Sequence, residues 1–461
     1  MTALLFLVCF FAGLGLAIAR HPIYGLLTYV GAYYLHPPSR WWGAALPDLR
    51  WSLLAALITM IAILIHKSKL MPLAARSGRT SLIVGYALFA IWLLIQSSWA
   101  MEADMQSEML TLFVKYALLI WLMTTAIDSE KHLQWFCWAH VLGCFYLGWV
   151  AFDEYDGGRF EYFGGPDINE ANSGALQLVS GIFTAAALFL LPEMRNKIAL
   201  LLTMPLVVNG MILTSSRSAF LAAASGGLIY NLFTHARFKR LVRFFTILAA
   251  LAFLALTPPQ YWQRISSITA AGAEVEGVDT GSGRLVLMQA QLQMFASHPL
   301  GCGHRCTVTL SPQYLDESHL TGTAEQKGRA SHNTFMSLMV EQGIPGMTFY
   351  ALFLIWVARK GLQLHQLTRN TEGFLSTLTP SILAFMTALV VGDIFVDYLK
   401  SEVRVWFASL LVVAVSLAIR ARETRDKAAE AAGSPENPPP VLTSASKFRI
   451  PQRRPLNRGR L

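Results

Sequence analysis

Long apolar runs recur from one end of this 461-residue chain to the other. An α-helix needs about 20 mostly apolar residues to cross a bilayer. Charged residues make up only 14% of the sequence, whereas soluble domains carry about 25%. The period-2 alternation of outer-membrane barrels does not occur. The chain is therefore predicted to be an all-α polytopic membrane protein, with apolar runs near 4–36, 51–66, 81–99, 109–126, 134–151, 174–191, 198–214, 219–234, 244–257, 346–358, 378–396 and 405–419.

Basic residues gather in alternate connections between these runs. The basic connections are 67–79, 237–243 and 359–369, together with the tail from Arg420. All four lie on one side of the membrane if each run crosses once, and short basic loops stay in the cytoplasm. The acidic segment 153–170, the turn 215–217 and the polar segment 258–343 then lie outside. Because the net charge of +9 is spread over loops and tail, it does not indicate nucleic-acid binding.

The first apolar run leaves the number of crossings open, because residues 20–22 divide it into two halves. One broken or re-entrant crossing gives about twelve spans, which we favour. Two full crossings give thirteen and place the N-terminus on the other side. Residues 17–19 resemble a signal-peptide cleavage site, but no basic residues precede the run, so an uncleaved first span is expected.

Four segments follow from this organisation. Residues 1–257 are predicted to form the N-terminal membrane helices, 258–345 a periplasmic loop, and 346–420 the C-terminal membrane helices. Residues 421–461 are basic and rich in Pro, Ala and Glu, a composition typical of a disordered cytoplasmic tail.

The polar segment contains two of the five cysteines, Cys302 and Cys306. A disulfide between them is compatible with an oxidising periplasm. A zinc site with His298, His304 and His319 is an alternative, although the spacing fits no strong zinc pattern. A third possibility is that both cysteines are free thiols in a tight turn.

Three polar side chains on the outer side suggest chemistry on an anionic substrate. Arg217 lies at the mouth of a span. Arg284 begins a predicted amphipathic helix that ends near Ser297, and His332 is expected in the first turn of a short helix capped by Ser331. An arginine fork binds phosphate, and a histidine can act as a general base. Two arginines could therefore hold a lipid diphosphate without a metal. Alternatively, the arginines contact lipid headgroups and the histidine is a solvated loop residue.

Lys115 lies inside a predicted span, where a charge costs about 2.5–3.5 kcal/mol. It is expected either to be paired or to line a polar cavity. Asp393 and Asp397 are candidate partners, either for Lys115 or for Lys400 and Arg404.

Three segments resemble the O-antigen ligase and polymerase superfamily. Residues 214–220 resemble its arginine motif. Gly283-Arg284 followed by 298–303 resembles its second arginine stretch, and 331–335 followed by 341–346 resembles its histidine motif. Residues 36–43 look like the branch that contains O-antigen ligases and exosortase-associated O-glycosylation ligases. The resemblance covers nearly the whole chain except the tail.

The resemblance implies a GT-C-like, metal-independent, inverting glycosyltransferase that needs no cofactor. It would move a glycan from undecaprenyl diphosphate to an acceptor hydroxyl at the periplasmic face of the bacterial inner membrane. His332 would be the base, and Arg217 and Arg284 would hold the diphosphate. The segment around Asn169 and Asn172 is similar to a family segment whose role is not defined. Lys115, Arg305 and Asn333 are further candidates for an accessory role.

The leading hypothesis for the acceptor is a lipid A–core sugar, with membrane lipid around the helices. Polymerisation of O-antigen repeats and transfer to a protein hydroxyl share the same scaffold and remain alternatives. A secondary transporter or flippase belongs to another class. That class favours an internal repeat with broken helices near the membrane midplane, and the sequence shows no repeat.

Overall fold

A computed structural model describes residues 1–72, 77–165, 167–256, 282–323 and 326–433, which are almost entirely helical. The α-helices are α1 (Thr2–Ala19), α2 (Ile23–Leu35), α3 (Trp51–Ile65), α4 (Arg79–Gln96), α5 (Ala103–Ala126), α6 (Glu130–Asp153), α7 (Ala171–Phe189), α8 (Met194–Leu213), α9 (Arg217–Phe233), α10 (Lys239–Leu256), α11 (Ser282–Ser297), α12 (Cys306–Tyr314), α13 (Thr334–Ser337), α14 (Gly343–Thr368), α15 (Phe374–Gly392) and α16 (Glu402–Gly433). Strands β1 (Thr321–Thr323) and β2 (Gln326–Gly328) pair antiparallel, and Leu338–Gln342 forms a π-helical turn.

Nine helices in the described residues are long and apolar enough to cross a membrane. This confirms the prediction of a polytopic all-α membrane protein. The nine are α1, α4, α5, α6, α7, α8, the continuous stretch Thr334–Thr368, α15 and the span Glu402–Ala428. Helix α3 is apolar but shorter, α2 has 13 residues and α9 has 17, and α10 begins with several basic residues.

The first apolar run forms two antiparallel helices. A Cβ atom built on Gly13 would meet Thr28, and one built on Gly25 would meet Ala17, so the pairing runs in opposite directions along α1 and α2. The run is therefore a helical hairpin, and its expected count as one broken or re-entrant crossing stays a prediction. The break at residues 20–22 is a turn, and α1 begins at the end of the bundle where α2 stops.

The basic connections lie together at one end of the bundle, called here the basic end. Lys360 donates from Nζ to Ser77 Oγ over 3.1 Å, and Arg237 pairs with Glu372. Helix α14 continues to Thr368, so Arg359 and Lys360 lie within a helix and not in the predicted loop. The connections 153–170, 213–217, 297–306, 331–334 and 393–401 lie at the other end, called the motif end.

Helix α16 lies at the centre of the bundle, because nearly all residues of its apolar part are buried inside the protein. Its fully buried Trp406 packs against Tyr33 and Phe136, with ring centroids 4.9 and 5.7 Å apart. A helix that is apolar all round is expected in such a position.

The helix continues past Arg420 to Gly433, where the sequence predicts a disordered tail. Residues 434–461 lie outside the described part, and Ala421 begins a second compact unit.

Helices α11 and α12 share a small core of their own. Leu287 and Met294 pack there with Cys306, Leu310 and Val340. Because Val340 belongs to the π-helical turn, this core fastens the polar segment to the beginning of α14. Helix α11 confirms the predicted helix over 284–297, whereas residues 257–281 lie outside the described part.

Candidate functional site

His332 lies in an exposed turn immediately before α13. Asn333 caps that helix, because its Oδ1 accepts from the backbone amides of Phe335 and Met336 over 2.9 and 3.1 Å. The predicted cap at Ser331 is therefore wrong, and His332 precedes the cap instead of lying in the first turn. Asn caps as well as Ser does, and here one side chain satisfies two amides.

The histidine turn is anchored on the connection between α15 and α16. Thr334 donates from its amide to the Asp393 carbonyl over 2.8 Å and from Oγ1 to the Asp393 carboxylate over 2.9 Å. Arg404 pairs with the same carboxylate over 2.6 Å, and both side chains are almost fully buried. Tyr350 also donates to Asp393. The backbone beside His332 is thus fixed by a buried ion pair.

Arg217 is the first residue of α9 and is half-buried. Ser216 caps this helix by accepting from the Ala219 amide over 3.2 Å. Asn172, at the start of α7, accepts at Oδ1 from Ser216 Oγ over 2.8 Å and from Arg159 over 3.1 Å. The family-like segment around Asn172 therefore holds the arginine turn in place.

The arginine turn and the histidine turn are joined through α7. Ser173, which follows Asn172, accepts at its carbonyl from the Tyr398 hydroxyl over 3.2 Å. The Tyr398 amide donates to Thr334 Oγ1 over 2.9 Å. A short chain of hydrogen bonds thus connects the residue before Arg217 with the residue two positions after His332. Both turns lie at the motif end.

Arg284 lies in the first turn of α11, and its side chain is outside the described part. The position of α11 is fixed by the small core in which it packs against Val340. The structure therefore brings the backbone of the second arginine segment against the turn that follows the histidine motif.

The second arginine stretch and the histidine motif meet backbone to backbone. Gly301 and Gly343 have φ values of +79° and +64°, a region that favours glycine. A Cβ atom on Gly301 would lie 2.5 Å from the Glu341 carbonyl oxygen, and one on Gly343 would lie 2.5 Å from the Gly301 amide nitrogen. The Gly303 amide donates to the Glu341 carbonyl over 3.0 Å. Both glycines are needed for this close approach.

Cys302 and Cys306 form a disulfide across the turn that ends the second arginine stretch. Because both sulfur atoms are in the disulfide, neither cysteine can bind zinc as a thiolate. The alternatives of a zinc site and of two free thiols are therefore wrong. Arg305, between the two cysteines, has a left-handed backbone and is exposed near Met105.

Lys115 lies on an exposed face of α5. Within the described residues it forms no hydrogen bond or ion pair, and it does not line the cavity described below. Asp393 instead pairs with Arg404. The expectation of a paired Lys115 is wrong within the described residues, because its neighbour Tyr116 takes the buried face and donates to the Lys400 carbonyl. Its expected place in a polar cavity stays a prediction.

A second, partly buried cluster of charged residues surrounds a small cavity at the motif end. Lys400 donates from Nζ to His304 Nε2 over 3.2 Å, so His304 donates from Nδ1 to Glu341 over 2.8 Å. Asp397 lines the same cavity. Sequence reasoning names Asp397 as a candidate partner of Lys400 and names His304 only as a possible zinc ligand. No sequence spacing connects His304 with Glu341.

One group of described residues could offer three ligands to a metal, namely His21, Asp128 and His132, whose ligand atoms lie within 4.8 Å of one another. Hydrogen bonds from both histidines lower the pKa of the Asp128 carboxyl, although burial opposes this. His21 Nδ1 accepts from the Ile23 amide over 3.1 Å, so its Nε2 carries the proton and faces Asp128. This tautomer does not suit metal binding, and the group lies at the basic end.

Comparison with known protein families agrees with the position of these motifs. The family model described as O-antigen ligase matches residues 199–351, a range that contains Arg217, Arg284 and His332. A search of curated proteins finds no match. Over these residues the chain is similar to the O-antigen ligase family.

Proposed function

We propose that this protein is a glycosyltransferase that moves O-antigen glycan from undecaprenyl diphosphate onto a hydroxyl of a lipid A–core sugar. One observation carries the proposal. Hydrogen bonds through Asn172, Ser173, Tyr398 and Thr334 join the turn of Arg217 to the turn of His332.

The two arginines supply the charge that the donor requires. Arg217 begins α9, and a helix N-terminus adds partial positive charge where a phosphate would bind. Arg284 belongs to α11 beside the histidine segment. Guanidinium groups at both places stabilise the negative charge that develops as the bond between the sugar and the diphosphate breaks.

His332 acts as the general base in this proposal. Its exposure leaves room for a large acceptor, while the Asn333 cap and the Thr334 anchor fix its backbone. The acceptor oxygen bonds to the anomeric carbon, its proton moves to the imidazole, and the diphosphate leaves from the opposite face. General bases contribute about 10²–10⁴ in rate.

The proposed orientation follows from the charge of the two ends. Lys360 and Arg237 lie at the basic end, and basic connections stay in the cytoplasm. The motif end then faces the periplasm of a bacterial inner membrane, where the donor lipid and the lipid A–core acceptor are both within reach.

The test is transfer in proteoliposomes that contain a lipid-linked glycan and purified rough lipopolysaccharide. His332→Ala should lower transfer at least about 100-fold while donor binding persists. Arg284→Lys should also lose most turnover, because a lysine keeps the charge and loses the fork. His319→Ala, in the same segment, is the matched control.

Normal transfer by His332→Ala would refute the assignment of the base. Longer lipid-linked glycan without attachment to lipopolysaccharide would identify a polymerase instead of a ligase.

A further inference from the structure

Arg159 has no assigned role in the transfer described above, although it contacts the arginine turn. It lies in the connection between α6 and α7, and its Nε donates to the Thr214 carbonyl over 3.2 Å. Its Nη2 donates to Asn172 Oδ1 over 3.1 Å, and the same oxygen accepts from Ser216 Oγ over 2.8 Å. The guanidinium of Arg159 therefore lies beside the turn that leads into Arg217.

The turn that Arg159 holds has an unusual backbone. Ser215 is left-handed, with a φ value of +48°, which residues other than glycine seldom adopt. The amide of Phe160, next to Arg159, donates to the Leu213 carbonyl over 3.0 Å. Two successive carbonyls at the end of α8 are thus bonded by this connection, where a cation is favourable. These contacts fix one edge of the Arg159 guanidinium.

Glu161 faces the remaining nitrogen of the same guanidinium. Its carboxylate lies 3.4 Å from Arg159 Nη1, and the side chains of Glu161 and Arg159 are 43% and 34% exposed. Hydrogen bonds between a guanidinium and a carboxylate are usually about 2.7–2.9 Å long, so this contact is loose. Exposed ion pairs of this kind contribute little stability. A better-placed anion can therefore replace Glu161 without disturbing the two bonds that hold Arg159.

We propose that Arg159 is a third phosphate-binding residue of the donor site, and that Glu161 covers it until the donor binds. This inference rests on the proposed function. An oxygen of the lipid diphosphate accepts from Arg159 Nη1 and displaces the Glu161 carboxylate into solvent. No covalent bond changes in this exchange. Phosphate is the stronger partner, because its charge is larger and its oxygens match the planar donors of a guanidinium.

A purely structural role of Arg159 predicts different behaviour. If Arg159 only braces the arginine turn, loss of the Glu161 charge changes nothing, because bracing uses Nε and Nη2 whereas the ion pair uses Nη1. If Glu161 covers a phosphate-binding nitrogen, loss of its charge strengthens the binding of a diphosphate. The two roles are therefore separated by a substitution that leaves Arg159 itself intact.

The test is the dissociation constant of undecaprenyl diphosphate, the lipid product of the proposed transfer, for the purified protein in lipid nanodiscs. Glu161→Gln should bind it about threefold more tightly than the wild type, with unchanged thermal stability. Arg159→Gln should bind it about tenfold more weakly, because a charged hydrogen bond is lost. In the double variant, the gain from Glu161→Gln should disappear. Glu154→Gln removes the same charge from an exposed position in this connection and should bind like the wild type.

Equal affinities of Glu161→Gln and the wild type would overturn the inference, even if Arg159→Gln binds weakly. A gain that persists in the double variant, or an equal gain in Glu154→Gln, would overturn it as well, since the effect would not pass through Arg159. If the wild type does not bind undecaprenyl diphosphate, the proposed function fails. If the wild type binds it and Arg284→Lys weakens binding, while Glu161→Gln changes nothing, only this inference fails.

Discussion

Two clusters of charged residues each include residues of the connection between α15 and α16, and they are built differently. Arg404 and Asp393 form an ion pair with 3% and 0% exposed side chains, and Tyr350 and Thr334 also bond to Asp393. The other cluster contains Asp397 and surrounds a cavity. The first cluster fixes the backbone of the histidine turn, whereas the second surrounds a small cavity with polar side chains.

The largest expected effect comes from breaking the first cluster. Arg404→Met should destabilise the protein by about 3–5 kcal/mol, because Asp393 would remain charged, buried and unpaired. Thermal unfolding of the purified protein in detergent measures the loss. The double variant Arg404→Met/Asp393→Asn should recover part of the stability, since no charge is left buried. Wild-type stability of Arg404→Met alone would show that the pair does not anchor the turn.

A smaller effect is expected from the disulfide, which borders the second cluster. Replacing Cys302 and Cys306 by Ala should cost about 2 kcal/mol, the value for a very short closed loop. Transfer should fall in parallel, because the same turn presents His304 to Glu341. Reductant should reproduce the loss in the wild type and leave the variant unaffected. Equal stability of the reduced and oxidised wild type would contradict this expectation.

The smallest effect is expected at Lys115, which belongs to neither cluster. Its side chain is exposed on α5, so Lys115→Leu should change transfer less than about twofold and stability by less than about 0.5 kcal/mol. The transfer assay in proteoliposomes checks this. A loss as large as that of Arg284→Lys would place Lys115 in the substrate site and reopen its role.

Sequence patterns predicted the helices well, because every apolar run after the first corresponds to one helix, and the first run corresponds to two. They failed where tertiary contacts decide the outcome. The α1–α2 hairpin depends on Gly13 and Gly25 meeting a neighbouring helix. The cap of α13 depends on which of two capping residues reaches more amides, and Asn333 reaches two.

The candidate site was predictable only in part. The motifs around Arg217 and His332 are local in sequence, and both turns lie at the motif end. The partners of these turns lie far away in the chain. Asn172 and Tyr398 are such partners. In the second cluster, His304 likewise bonds to Glu341 across 37 positions. No spacing rule connects residues so distant, so only the fold could reveal them.

The most direct test of the account is a cryo-EM structure of the protein with its undecaprenyl-diphosphate-linked donor in a lipid nanodisc. We predict that the diphosphate lies at the motif end with the guanidinium groups of Arg217 and Arg284 within hydrogen-bonding distance, and that the His332 imidazole faces the anomeric carbon from the other side. A diphosphate bound at the basic end, or one that contacts neither arginine, would contradict the account.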